Sequence, residues 1–212
     1  INKQAFVDQG YKIQGQTEFL ASACGCREVA MMFIGDRLKV GLITTHVALR
    51  DVFFTITTDM IVSKTFLVHI FLKKFFNLDS PAIAVCSLDP HAGEGGKLGG
   101  EDIKIVSPAI AKLQEKGVAA TGPHSADTVF HQHLSGRFDA VMALYHDQGL
   151  APFKVLHFED GVNVSVGLPF IRTSPDHGVA YDIAGKGIAN PASMISAVKL
   201  AKRLAAAKKR DE

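Results

Sequence analysis

The sequence predicts an α/β fold in three layers, α/β/α, around a mostly parallel mixed sheet. The chain has 212 residues, 47% of them hydrophobic and 21% charged, a composition that excludes disordered, collagen-like and coiled-coil classes. Short apolar segments alternate with segments of helical periodicity, as they do in layered α/β folds. Residues 82–88 are also continuously apolar, which is typical of an inner parallel strand.

The first half of the chain predicts two strands, a helix and a third strand. Residues 29–34 and 38–44 are apolar and separated by a Gly-Asp pair, which predicts two strands joined by a short turn. Residues 57–59 offer N-caps to a helix. Its apolar residues recur at helical spacing: Leu67, Ile70, Phe71 and Phe75. The strand over 82–88 then runs into a Gly-rich loop, residues 89–100.

The second half predicts three helices and two strands. Ser107 and Pro108 are predicted as the N-cap and first residue of a helix that stops at Gly117. The other predicted elements are a helix from Ser125, strands over 138–144 and 162–166, and a helix from Asn190 and Pro191 that carries Met194, Val198, Ala201 and Ala205. We therefore divide the chain into a connecting segment (1–15), an α/β metal- and substrate-binding domain (15–190) and a C-terminal helix (190–212).

Charge, cysteine content and hydropathy indicate which partners and which cellular compartment to expect. The net charge is only +2, and the Lys and Arg residues are scattered except near the C-terminus, so we expect no nucleic-acid partner. Three cysteines form neither an even set nor a paired metal motif, which indicates a reducing compartment. The most apolar stretch, 66–76, is too short for a bilayer and contains two lysines. We therefore expect a cytoplasmic protein that does not bind membranes.

Three of the nine histidines follow predicted strands, where functional groups gather in open α/β sheets. They are His46, His91 and His146. Three converging imidazoles suit a borderline divalent cation such as zinc and leave a coordination position for substrate. Their wide spacing alone leaves a second interpretation open, in which they are polar strand-end residues that bond to the backbone.

Other polar residues lie near these histidines in the predicted fold. The glycines of 93–100 permit close approach of the backbone to a phosphate group, although an ordinary surface loop has the same composition. Lys154, Asn163 and Arg172 are predicted at strand ends, where they would bind an anionic substrate. The candidate carboxylates for proton transfer are Asp127 and Asp147.

Several blocks in order along the chain resemble the PdxA family, the 4-hydroxythreonine-4-phosphate dehydrogenases of pyridoxal phosphate (pyridoxine, vitamin B6) biosynthesis. The resemblance covers nearly the whole chain, and the ordered set is more specific than any one block. The blocks are residues 15–20, 44–52, 89–96, 125–128, 145–149 and 161–178.

The resemblance implies an oxidoreductase with a fold like that of isocitrate and isopropylmalate dehydrogenases. The implied reaction is the oxidation of 4-hydroxythreonine 4-phosphate, dependent on NAD (or NADP) and a divalent metal, with decarboxylation to 3-amino-2-oxopropyl phosphate. By position, the three histidines match the family's ligands for zinc, magnesium or cobalt. The substrate-binding residues implied are Gln16, Thr17, Lys154, Asn163 and Arg172. The family also implies a homodimer with a shared active site.

The chain departs from the family pattern at three positions. Gln16 stands where the family usually has a substrate-binding His, Asp89 where it has Asn, and Ser125 where it has Pro. The family's chains also begin with a segment that forms part of the first domain and one wall of the cleft. We expect that part of the first domain to be absent here, and the 212 residues alone to be a poor or inactive dehydrogenase.

Other functions remain open at this stage. The same histidines would serve a relative that oxidises 4-phosphothreonate or a cis-dihydrodiol. A non-catalytic metal-binding fragment and a metal-dependent hydrolase are alternatives from other classes. Reduction of NAD when substrate is added distinguishes the dehydrogenases from both.

Overall fold

One mixed β-sheet organises the part of the chain that the structure, a computed structural model, describes: residues 15–208 together with 8 and 10. Its strands are β1 (Ala30–Ile34), β2 (Lys39–Leu42), β3 (Ile83–Cys86), β4 (Ala120–His124), β5 (Ala140–Ala143), β6 (Val162–Val166) and β7 (Thr173–Pro175). They lie in the order β4-β3-β5-β2-β1-β6-β7.

The strand directions confirm a mixed sheet in which most strands run the same way. β4, β3, β5 and β2 pair in parallel, whereas β1 is antiparallel to both β2 and β6, and β7 is antiparallel to β6. Strands β2 to β6 therefore share one direction, and β1 and β7 run against them. In the central register, Met32 lies opposite Gly41 on one side and Val164 on the other.

Helices cover both faces of the sheet. They are α1 (Gln16–Ala23), α2 (Leu49–Thr55), α3 (Thr58–Phe76), α4 (Ser107–Glu115), α5 (Ala126–Leu134), α6 (His146–His157) and α7 (Ala192–Lys208). On β2, a Cβ at Gly41 would lie 3.4 Å from Val68 of α3, whereas Gly149 of α6 approaches the neighbouring Val40 and Leu42. Because successive strand residues point to opposite faces, α3 and α6 lie on opposite sides, and the three-layer prediction is confirmed.

The predicted strands are present with shorter bounds, and the long helix begins where expected. The Thr57 side chain accepts a hydrogen bond from the Met60 N–H at 3.2 Å, which caps α3. The buried face of α3 was predicted less well. Val68 and Leu72 are fully buried there, whereas Ile70, one of the predicted apolar positions, is 46% exposed.

The predicted N-cap of the next helix is wrong. Ser107 has helical φ and ψ (−60° and −43°), because a π-helical turn over Asp102–Val106 leads directly into α4. The stop at Gly117 is confirmed by its φ of +76°, which ends a helix in the left-handed region. Sequence analysis missed α1, α2, α6, β4 and β7.

The ends of the chain were treated separately in the predicted domain division. Residues 1–14, apart from 8 and 10, and residues 209–212 lie outside the described part, so the connecting segment and the last turn of the C-terminal helix stay predictions. Within the described part, α7 packs against α3, β6 and β7. This helix therefore belongs to the same packed structure as the sheet.

Two further observations bear on the sequence expectations. Among the described helices, none is by itself long and apolar enough to cross a bilayer; α2 and α3 meet those criteria only as a pair, and they are bent by 94° where they meet. All three cysteines, Cys24, Cys26 and Cys86, are free thiols.

Candidate active site

The largest of the described clefts, here called the main cleft, has a volume of about 830 Å³ and lies over the antiparallel edge of the sheet, beside α6. Residues from α1, β1, β6 and the segment after β7 line it. It brings together six of the predicted site residues: Gln16, Thr17, His46, His146, Asn163 and Arg172. Residues more than 150 positions apart in the sequence therefore share one cavity.

Arg172 is the cationic centre of this cleft. Its carbonyl accepts a hydrogen bond from the Ser165 N–H at 3.1 Å, which fixes it beside β6 just before β7 begins. Its Nη1 donates to Ser165 Oγ at 2.9 Å and to Thr17 Oγ1 at 3.3 Å, and its Nη2 donates to Gln16 Oε1 at 2.9 Å. All three acceptors are neutral.

The charge of Arg172 is not paired with a carboxylate. No ion pair to this guanidinium exists within the described residues. Burial lowers the pKa of Arg172, an effect that the negative charge of Glu18 opposes. An arginine remains protonated at any physiological pH, so the cleft presents a half-buried cation. Such a group attracts an anionic ligand.

Asn163 adds an unsatisfied acceptor to the same cleft. Its side-chain Oδ1 is buried, and none of the described residues donates to it. A buried acceptor without a partner costs about 1 to 3 kcal/mol, so a ligand hydroxyl or ammonium group would be favoured there. Both residues were predicted at strand ends. In the structure Asn163 lies within β6, and Arg172 directly precedes β7.

The prediction that Lys154 lies at a strand end is wrong, because the residue lies inside α6. Its Nζ donates to the carbonyl oxygen of Asp176 at 2.7 Å and pairs with the carboxylate Oδ2 of the same residue at 2.7 Å. Asp176 therefore already balances the charge of Lys154. A substrate anion would have to share this lysine or displace the carboxylate.

Two of the three predicted metal ligands lie side by side. His46 follows β2 and His146 opens α6, and their ring centroids are 6.3 Å apart. His146 Nδ1 is 2.6 Å from Asp147 Oδ1. A metal-binding histidine commonly donates its second ring N–H to a carboxylate, which fixes the ring and directs the other nitrogen to the ion. Through this contact Asp147 orients the His146 ring.

His91 lies in a second, adjoining cavity of about 270 Å³, the loop cleft. Asp127 also lines it and accepts a hydrogen bond from Ser125 Oγ at 2.7 Å. Tyr145, the neighbour of His146 in the chain, lines the loop cleft as well, so consecutive residues at the start of α6 line the two cavities. The three predicted histidines do not form a three-ligand cluster within one described chain.

The Gly-rich loop that carries His91 has an unusual backbone. Five consecutive residues, His91 to Gly95, take positive φ values between 43° and 72°. Three of them are not glycine, so the loop holds a conformation that L residues rarely adopt. At its base, the buried Asp102 carboxylate accepts hydrogen bonds from the Leu88 N–H at 2.7 Å and the Asp89 N–H at 3.0 Å.

Asp89, at the start of this loop, is close to other acidic groups. Burial, together with the nearby Asp102 and Glu101, raises the pKa of its carboxyl group. Its side chain packs against Gly99, where φ is +136° and a Cβ would overlap the Asp89 carboxyl. Only glycine fits at that position. The Asn that the family usually has at position 89 would carry no charge here.

A different group of possible metal ligands lies at the far end of α6. Asp36, His157 and Asp160 place their ligand atoms within 4.8 Å of one another. The buried His157 has Nδ1 at 3.1 Å from Asp160 and Nε2 at 3.6 Å from Asp36. One ion cannot bind both nitrogens of one ring, because their lone pairs diverge. This group therefore offers an ion one ring nitrogen and the carboxylates of Asp36 and Asp160, and it also joins the β1–β2 turn to α6.

Sequence analysis missed three residues that shape the main cleft: Glu18, Ser165 and Asp176. Ser165 was detectable, since it lies two positions after Asn163 in β6 and strand residues at i and i+2 share a face. Glu18 and Asp176 fall inside blocks of the resemblance but carry no pattern that indicates their contacts.

Comparisons with known proteins identify the same family that the sequence blocks resemble. A family model described as pyridoxal phosphate biosynthetic protein PdxA matches residues 1–201. The chain is 47% identical over 208 residues to a 4-hydroxythreonine-4-phosphate dehydrogenase of Geobacter metallireducens, covering 98% of this chain and 61% of the relative. A second such relative, from Desulfosudis oleivorans, is 49% identical over 202 residues, covering 95% of this chain and 60% of the relative.

Solved structures of dehydrogenases superpose on this chain. A 4-hydroxythreonine-4-phosphate dehydrogenase from Klebsiella pneumoniae superposes with a TM-score of 0.88 at 45% identity, over 96% of this chain and 61% of that one. A terephthalate 1,2-cis-dihydrodiol dehydrogenase from Burkholderia xenovorans superposes with a TM-score of 0.74 at 27% identity, over 95% of this chain and 64% of that one. The chain thus spans about three fifths of the length of the curated relatives it matches.

Proposed function

Since the chain belongs to the PdxA family of pyridoxal phosphate biosynthetic proteins, we propose that it carries the metal- and substrate-binding part of a 4-hydroxythreonine-4-phosphate dehydrogenase. The reaction is oxidation of the substrate's secondary alcohol by NAD or NADP, followed by loss of carbon dioxide to give 3-amino-2-oxopropyl phosphate. The observation that carries the proposal is the unpaired Arg172 cation beside two histidines in one cleft.

Arg172 binds an anionic group of the substrate. A guanidinium has five N–H donors, and the described residues use three of them, for Gln16, Thr17 and Ser165. Two donors remain, which match a phosphate or carboxylate group in a bidentate arrangement. Lys154 binds the substrate anion only by sharing its ion pair with Asp176, and Asn163 accepts a hydrogen bond from a substrate hydroxyl or ammonium group.

Gln16 suits this arrangement although the family usually has His there. Its Oε1 accepts from Arg172 Nη2 at 2.9 Å, which a protonated histidine would be unable to do. The amide NH₂ of the same side chain stays available as a donor toward the cleft. Gln16 therefore both supports Arg172 and offers a neutral hydrogen bond to the ligand.

His46 and His146 hold the divalent cation, zinc, magnesium or cobalt, with His91 as the third ligand. The fit is supported by the adjacent rings and by Asp147, which orients His146. His91 reaches the ion from the neighbouring loop cleft or from a second copy of the chain in a homodimer with a shared site. A bound cation lowers the pKa of the substrate alcohol and polarises the ketone that forms.

We assign Asp127 and Asp147 to the proton transfers. Asp127 lines the loop cleft with His91, and its bond from Ser125 fixes the carboxylate at the first turn of α5. Asp147 contacts His146 directly, so its first task is to hold that ring.

A cytoplasmic, reducing location agrees with the three free thiols.

A related dehydrogenase acting on a cis-dihydrodiol or on 4-phosphothreonate is the second candidate. The resemblance to the Burkholderia xenovorans enzyme and the Gln16 departure favour including it. A cis-dihydrodiol need not carry a phosphate, and then Arg172 would have less to bind. Dependence of binding on the phosphate group therefore separates the cis-dihydrodiol from the two phosphorylated substrates, which only the turnover and affinity comparison distinguishes from each other.

The test is a substrate panel measured by both turnover and binding. NADH or NADPH formation is followed with 4-hydroxythreonine 4-phosphate, 4-phosphothreonate and a cis-dihydrodiol, in the presence of zinc, magnesium or cobalt. Calorimetry on the same protein gives the affinities, because a chain that spans three fifths of its relatives can bind without turning over. Preferential binding of 4-hydroxythreonine 4-phosphate supports the proposal. Binding of none of the three contradicts it.

A further inference from the structure

We propose that Ser165 is a positioning residue of the anion site, which fixes the Arg172 guanidinium and directs the Thr17 hydroxyl proton toward the bound oxyanion. This inference rests on the function proposed above and extends it to a residue that the function does not assign. Its evidence is the hydrogen-bond geometry of three side chains from α1, β6 and the start of β7.

Ser165 lines a separate cleft of about 190 Å³, which Arg172 also lines. Its side chain is buried, with 4% of the residue exposed, and it does not line the main cleft, whereas Thr17 and Arg172 both do. A direct contact between Ser165 and substrate is therefore not part of the proposal. Any effect of this residue on binding has to pass through its two neighbours.

The Ser165 hydroxyl has one available acceptor for its proton. Its oxygen accepts from Arg172 Nη1 at 2.9 Å and lies 3.0 Å from Thr17 Oγ1. A buried hydroxyl proton is nearly always donated to an acceptor, and of the described groups only Thr17 Oγ1 is in reach. By distance either hydroxyl could donate to the other, and both residues are equally buried, but only Thr17 lines the main cleft, where a ligand can accept its proton. We therefore assign Ser165 as the donor and Thr17 as the acceptor.

This direction leaves the Thr17 proton for the ligand. Thr17 Oγ1 has two lone pairs, one taken by the Ser165 hydroxyl and the other by Arg172 Nη1 at 3.3 Å. Its own proton then has no acceptor within the trio. Because Thr17 lines the main cleft, an oxyanion bound to the two remaining Arg172 donors would accept this proton as a third hydrogen bond.

Replacement of Ser165 by alanine would remove this arrangement with little change to the sheet. The Ser165 N–H bond to the Arg172 carbonyl is made by the backbone and stays in the variant. Arg172 Nη1 would lose a fixed acceptor, and the Thr17 hydroxyl would be free to donate elsewhere. The expected result is weaker anion binding by a protein that still folds.

The experiment is calorimetric titration of the metal-loaded protein with 4-hydroxythreonine 4-phosphate and, separately, with inorganic phosphate. Ser165→Ala is expected to raise both Kd values about tenfold, the usual effect of losing a charge-assisted hydrogen bond. Ser165→Thr, which keeps the hydroxyl, is expected to restore most of the affinity. Metal affinity should be the same in all variants, since no metal ligand is touched.

Thr173→Val is the matched control. Thr173 Oγ1 donates to the Ala197 carbonyl at 2.9 Å, so this variant also loses a partly buried hydroxyl hydrogen bond on the neighbouring strand. It is expected to unfold at a lower temperature but to bind both anions like the unchanged protein. A general loss of packing near β7 would instead weaken binding in both variants.

A double-mutant cycle with Thr17→Val tests whether Ser165 acts on the bound anion through the Thr17 hydroxyl. If Ser165 acts through Thr17, the effect of Ser165→Ala becomes much smaller once Thr17 has lost its hydroxyl. Unchanged affinity in Ser165→Ala, equal weakening by Ser165→Ala and Ser165→Thr, or full additivity in the cycle would each overturn the inference. Failure of the unchanged protein to bind either probe would instead reject the proposed function itself.

Discussion

Arg172 determines which ligands the main cleft attracts, because its half-buried charge forms no ion pair with a carboxylate among the described residues. Two hydroxyl groups and one amide oxygen accept from its guanidinium, and together they fix its plane without cancelling its charge. Lys154 differs in this respect, since Asp176 already compensates it. The two cations that the sequence placed in one group therefore have different roles.

Replacing Arg172 with lysine should weaken binding of 4-hydroxythreonine 4-phosphate by roughly ten- to a hundredfold although the charge is kept. An ammonium group cannot bond Gln16, Thr17 and Ser165 while it also offers two parallel donors to an oxyanion. The affinity is measured by calorimetry at fixed metal saturation. Arg137→Lys is the control, because Arg137 stacks on Phe138 away from the cleft. Equal affinities for Arg172→Lys and the unchanged protein would remove Arg172 from the site.

Asp89 predicts how stability depends on pH. Burial and the nearby Asp102 and Glu101 raise the pKa of its carboxyl group in the folded state. The folded protein then holds this proton more tightly than the unfolded chain does, so stability falls as the pH rises from about 3.9, the ordinary value, through the raised pKa. The cost is fully present once the pH is above the raised pKa.

Asp89→Asn should therefore raise the melting temperature at neutral pH and change it little near or below about pH 4. The amide has the same shape and donates to Glu101 without titrating. Thermal unfolding followed by circular dichroism across this pH range measures the difference. A stabilisation that is the same at every pH would show that charge is not its cause.

At the scale of elements, α6 links the sheet to the site. It begins with His146 and Asp147, carries Lys154 in its third turn and ends at His157. Its position on the sheet therefore sets three predicted site residues at once. Gly149 permits this close packing, because a Cβ there would lie 2.8 Å from both the Ala143 Cβ and the Val40 Cγ1. The helix approaches the strands more closely than any larger residue allows.

Gly149→Ala should destabilise the protein even though alanine favours helices. Overpacking against β2 and β5 typically costs about 1 to 3 kcal/mol, which offsets or exceeds a propensity gain of about 1 kcal/mol. Urea unfolding measures the change in the free energy of unfolding. Val155→Ala, in the same helix at an 85% exposed position, should have a small effect. A more stable Gly149→Ala would mean that α6 lies further from the sheet.

Local patterns predicted some elements and missed others for physical reasons. The strands over 82–88 and 138–144 were found because most of their residues are apolar and both become inner strands. The helix α6 was missed because Gly149 and Pro152 break its periodicity, and β4 because it contains Gly122 and Pro123. In both cases the contacts with the sheet outweigh the local preference.

The site was predicted in the same uneven way. The strand-end histidines and Arg172 were identified from the sequence, and His46 and His146 do lie together. The contact of Arg172 with Gln16 and Thr17 spans about 155 positions, so no local pattern reports it. Strand-end reasoning also failed for Asn163, which faces the cleft from within a strand.

At the scale of the whole molecule, the described cleft contains the groups proposed to bind an anion and a metal, but the chain spans only about three fifths of the length of its relatives. Turnover in a dehydrogenase also requires the nicotinamide to be held against the substrate and water to be excluded. Binding of metal and substrate is therefore the property that the described residues should deliver, and it can be tested apart from catalysis.

The most direct test is anomalous diffraction from crystals soaked with zinc and 4-hydroxythreonine 4-phosphate. The account predicts a zinc peak between His46 and His146, at about 2.0 to 2.1 Å from each ligating nitrogen. A His91 ring from the same or a second copy should complete the set, and an anionic group of the substrate should lie on Arg172. A zinc peak only at Asp36 and His157, or substrate density away from Arg172, would contradict the account.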